Sequence, residues 1–192
     1  MKTKLITLFL VLITPFLAVA QEHVIVDSAT LIAGSANIGS VLGKSTVITS
    51  AQTVTATPYE AGDLVGAKIS LTNAADTATG SGVVQSVVIT DLAMQAGDYD
   101  VVFFSSDPTG TTFTDEAALD IADADLPKVV CVVPVTVSAS FADNGVSYAN
   151  GAGCAFDLGA GSTTLYAAIV VRSTPTFVGT SDVQLRVGIL QD

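Results

Sequence analysis

The chain has 192 residues, a formal charge of -11 and 49% hydrophobic residues, but only 13% charged residues and one histidine, His23. Imidazole-based hydrolysis or group transfer has almost nothing to draw on, and a nucleophile, base or metal set cannot be assembled from the motifs present, so the expectation is a non-enzymatic protein without a cofactor. The acidity repels phosphate backbones and anionic headgroups, which excludes nucleic acid as a partner.

Lys2 and Lys4 precede an apolar run from Leu5 to Leu17, and Ala18-Val19-Ala20 supplies small residues before Gln21. This is the pattern of a secretory signal peptide over residues 1–20, and the run is too short for a spanning helix. Export to the periplasm, the cell surface or the medium is expected, with no membrane insertion after cleavage; a place in a virion is the alternative. Removing Lys2 and Lys4 from the seven Lys and Arg leaves five against eighteen Asp and Glu, so the charge moves from -11 to -13. Residues 21–192 then suffice for one domain with a full core.

Residues 21–57 are rich in small residues, with short strands expected at 23–26 and 46–50, and read as an N-terminal arm or an added edge strand. The main domain spans 58–192. Strands are expected at 63–72 and 83–92, separated by the polar turn 73–82, and then at 99–105, an apolar run expected where both faces are covered. These three read as a meander. Thr112 and Thr114 can cap a helix over 115–122, with Asp115 and Glu116 in its first turn. Further strands are expected at 128–138, 164–172 and 182–190, with Gly151, Gly153, Gly159 and Gly161 as turn markers. In the last strand Val183, Leu185, Val187 and Ile189 alternate with polar or small residues, the pattern of a half-buried antiparallel strand. About eight strands and one short helix define an all-β fold, a single antiparallel sandwich of jelly-roll type, with a closed barrel as the alternative.

Cys131 and Cys154 lie in two strand-like segments, and in an exported protein they are expected to form a disulfide closing a loop of roughly 24 residues, worth about 3 kcal/mol. Asp120, Asp123 and Asp125 are spaced as weak calcium candidates, although the glycine and distal glutamate of an EF-hand loop are missing and solvated acids at the end of a short helix explain them more simply. Asp98 and Asp100 flank Tyr99 at strand spacing. Nothing brings Asp91 and Glu116 together as a glycosidase pair, and Gly80-Ser81-Gly82 lacks the glycine spacing of a nucleophile elbow.

Asp100-Val101-Val102-Phe103-Phe104, Asp107-Pro108-Thr109-Gly110-Thr111-Thr112-Phe113-Thr114-Asp115 and the block from Ala117 to Leu126 resemble poorly characterised proteins of tailed bacteriophages. The likeness continues through Phe141-Ala142-Asp143-Asn144, Thr163-Thr164-Leu165-Tyr166, Arg172-Ser173-Thr174-Pro175-Thr176 and Arg186 to Asp192, and covers about residues 58–192. It implies a virion component that decorates a capsid or particle surface and associates with itself or with other structural subunits, and it carries over no catalytic residue. The signal peptide and the two cysteines depart from that pattern and point to export. An exported adhesion or binding module is the second expectation.

Overall fold

In the strand Val183–Gln191 every second residue is buried, as period-two alternation demands of a strand with one face on a core. A computed structural model describes residues 44–192, Ala96 excepted. The expected signal peptide, the strand at 23–26 and His23 lie outside the described residues. Nine strands are present among those described: β1 (Lys44–Ala51), β2 (Leu64–Leu71), β3 (Ser81–Asp91), β4 (Tyr99–Phe104), β5 (Val129–Val135), β6 (Val137–Ser140), β7 (Gly145–Asp157), β8 (Leu165–Val171) and β9 (Val183–Gln191).

They form two antiparallel sheets, ordered β1-β9-β3-β7-β6 and β2-β8-β4-β5. With the short edge strand β6 set aside, each sheet has four strands, and the chain crosses from one sheet to the other at nearly every connection. This is the strand order of a jelly roll, and the sheets do not close into a barrel. The meander expectation is corrected here: β2 and β4 lie in one sheet and β3 in the other, because β3 pairs with β7 and β9. At Thr136 the chain turns from β5 to β6 and so changes sheets. Pro134, which cannot donate to a ladder, sits just before this turn in edge strand β5.

Between the sheets, Val87, Ile89, Leu185 and Val187 from one side meet Val101, Phe103, Leu165 and Ile169 from the other, all at no measurable exposure. β4 and β8 are buried on both faces, as the apolar run at 99–105 anticipates. The cause is the long connection between β4 and β5, which lays Phe113, Leu119 and Ile121 over Leu64, Val102, Phe104, Ala168 and Val170 on the outer side of their sheet. Phe113 meets Phe104 edge-on at 6.2 Å.

The expected helix at 115–122 does not form. Glu116 has φ +62°, outside the right-handed helical region. The Leu64 amide donates to the Ala117 carbonyl, and the amides of Glu116 and Leu119 donate to the carbonyls of Leu64 and Gly62. The segment is thus an extended strap held to the start of β2. Eight residues cannot nucleate a helix against such pairing. The only helical element among the described residues is a 3-10 turn, Leu126–Lys128.

Strand β7, thirteen residues long, was not expected, because Gly151 and Gly153 read as turn residues. Both have positive φ, and they lie where the β3–β7 register shifts between Val84 and Ser86. The glycines make a bulge in a continuing strand.

Candidate functional site

The side chains with the most chemistry gather on the β4–β5 connection, and nearly all of them hold the strap in place. Asp115 Oδ1 accepts hydrogen bonds from the Tyr59 hydroxyl at 2.7 Å and the Gly66 amide at 2.6 Å, while Oδ2 accepts from the Thr55 amide at 3.0 Å. Glu116 Oε2 accepts from the hydroxyls of Thr55 and Thr57. One turn of acidic sequence thereby ties the β1–β2 connection to the strap. Burial first, and then the neighbouring Asp115, push the Tyr59 hydroxyl up to about 12, so it stays a donor at neutral pH.

Asp125 anchors the other end. Its carboxylate is 1% exposed, and Oδ2 accepts from both the amide (2.7 Å) and the hydroxyl (2.8 Å) of Thr111. Its Oδ1 lies 2.8 Å from Lys128 Nζ, which also donates to the Asp107 carbonyl. The Lys128 ammonium, and after it the Thr111 donors, hold the Asp125 carboxyl below the usual carboxylate range. Asp107 pairs in turn with Lys68, whose ammonium stands 5.6 Å from the Tyr166 ring centre and 6.0 Å from that of Phe113.

The calcium candidates are not brought together: Asp125 turns inward to Thr111 and Lys128, whereas Asp120 and Asp123 face solvent. Among the described residues no group of three His, Cys, Asp or Glu is placed to share a metal ion. Asp91 and Glu116 serve separate turns, Asp91 accepting from the amides of Ala93 and Gln95 at the end of β3. Asp100 pairs with Arg172 at 2.7 Å, and Ser81 donates to the Asp192 carboxylate. Beside the strap an open depression of about 300 Å³ is lined by Leu64, Thr112, Thr114, Leu119, Asp120 and small residues between them. Asp120 is its sole ionisable side chain.

Cys131 and Cys154 are bonded, with their Cα atoms 6.2 Å apart. The bond joins β5 of one sheet to β7 of the other, so it spans the sandwich. Sequence reasoning missed Thr55, Tyr59 and Lys68 as partners of these acids. No local signal marks them, since Tyr59 and Asp115 are 56 positions apart and meet only through the fold.

No protein-family model and no curated protein sequence matches the chain. Among solved structures it is similar to one of infectious bursal disease virus Gx strain, at 14% identity and TM-score 0.33, over 77% of this chain and 31% of that one. It thus spans about a third of that chain's length. It is also similar to the VLP of the giant freshwater prawn Macrobrachium rosenbergii extra small virus (14%, TM-score 0.28, 78% of each chain). A third is latent aurone synthase, a polyphenol oxidase (12%, TM-score 0.31, 73% of this chain and 28% of that one). The jelly-roll assignment rests on the strand order.

Proposed function

We propose that the protein is a non-enzymatic structural subunit of a virion or particle surface that associates with copies of itself through its β-sandwich. The observation that carries this reading is how the acids at the two ends of the strap are used. Asp115 and Asp125 have their oxygens committed to amides, hydroxyls and an ammonium of the same chain, which makes them braces of a rigid body and leaves them no proton to move. The stretch from 58 to 192 that resembles tailed-bacteriophage virion proteins includes both acids and supports the same reading. The test is the mass of the purified mature protein across concentration, with a search for it in purified particles. Concentration-dependent oligomers and presence in particles are expected; a strict monomer absent from every particle would overturn the reading.

A second reading, an exported adhesion or binding module, is favoured by the Cys131–Cys154 bond, because such bonds persist in oxidising compartments. Cell fractionation with N-terminal sequencing separates the two. An exported chain begins at Gln21, and a chain retained in the cytosol with Lys2 and Lys4 attached removes this reading.

A further inference from the structure

Sixteen of the eighteen Asp and Glu lie in the described residues, yet they are missing from the middle of the outer face of the five-stranded sheet. The strand register sets Thr49, Arg186, Val88, Tyr148 and Val137 in one row across all five strands of that face. The neighbouring rows add no charge, and the carboxylates of Asp157 and Asp192 stand in the end row, on either side of Ser81. Val47, Val137 and Leu190 stand here 60%, 51% and 37% exposed. Lys44, Lys68, Lys128 and Arg172 each have a carboxylate partner; Arg186, exposed in the second strand of the sheet, is the one described cation without a salt bridge.

Two copies of so acidic a chain repel one another through most of their surface. The middle of this face is where the repulsion is weakest and where Arg186 stands without a described carboxylate partner. Five strands at about 4.8 Å spacing and about eight residues at about 3.3 Å rise give a face on the order of 24 by 26 Å, comparable with the ~800 Å² per partner of a specific interface. The chain itself supplies suitable anions in Asp120 and Asp123, both exposed on the strap outside the opposite sheet.

We infer that the outer face of the β1-β9-β3-β7-β6 sheet docks a second copy of this chain, whose acidic strap sets a carboxylate against Arg186. This rests on the self-associating reading above and adds its geometry. The two contacting surfaces differ, so the association is head-to-tail and builds rings or open chains.

The test compares the mass distributions of the full mature protein and its variants. R186E is expected to weaken association at least tenfold, V88D to abolish it, and V178D, on an exposed loop residue, to leave it unchanged. Combining R186E with D120R and D123R is expected to recover it. If R186E and V88D assemble like the wild type, the face is not the interface, while the self-associating reading survives. If the two variants instead lower thermal stability without altering assembly, the face serves the fold of the single chain and the inference is overturned. A wild type that stays monomeric at every concentration overturns both.

Discussion

The Asp115 carboxylate accepts hydrogen bonds from the hydroxyl of buried Tyr59 at 2.7 Å and from the Gly66 amide through the same oxygen, so one side chain joins the strap, the β1–β2 connection and strand β2. A carboxylate with three fixed donors is worth more than a neutral acceptor.

Replacing Asp115 with Ala leaves the Gly66 amide and the Tyr59 hydroxyl without their acceptor, and leaves the Thr55 amide only the Tyr59 hydroxyl oxygen. A loss of about 3 kcal/mol is expected, against about 1 kcal/mol for Tyr59→Phe, which removes one donor to Asp115 and an acceptor that the Thr55 amide can replace with Asp115 Oδ2. Urea unfolding of both variants checks the ratio, and equal effects would contradict the clasp.

Below neutral pH the Asp125 pair contributes to the pH dependence of stability. Its folded carboxyl is held below the ordinary value by Lys128 and Thr111, so its contribution is complete above about pH 4 and is lost as pH falls toward the lower folded value. The urea midpoint of the wild type is expected to fall below about pH 4 more steeply than that of Asp125→Asn. Parallel curves would show that this carboxylate does not matter to acid unfolding.

At alkaline pH the sign reverses. Tyr59 is raised from 10.0 to about 12, so its stabilisation is present below pH 10 and disappears as pH rises through 12. Burial pushes the Tyr99 hydroxyl up as well. Phenolate absorbance is expected to show these two of the four tyrosines ionising late, and Tyr59→Phe to remove one of them.

Breaking the inter-sheet bond by Cys131→Ala with Cys154→Ala is expected to cost about 3 kcal/mol, chiefly through the freer unfolded chain. Reductant should destabilise the wild type by a similar amount and leave the double variant unmoved.

Gly66 has φ +77°, and a Cβ there would meet Gln52 Oε1 at 2.6 Å. Gly66→Ala is therefore expected to lose about 2 kcal/mol by thermal unfolding, from left-handed backbone strain together with the displaced Gln52.

Alternation from Val183 to Ile189 and the near-continuous apolar run from Tyr99, interrupted only by Asp100, were enough to identify β9 as one-sided and β4 as covered twice, because burial on a strand is a matter of local period. The pairing of Cys131 with Cys154 was legible for a similar reason: two cysteines among strand-like residues leave one partner each. Only the tertiary structure decided that β2 and β3 part into different sheets, because hydrogen-bond partners along a sheet carry no mark in the strand itself. It also decided that residues 115–122 form a strap. There Asp115 and Glu116 looked like a helix's first turn, but donors from Thr55, Thr57, Tyr59 and Gly66, distant in sequence, outweighed a short segment's weak helical preference.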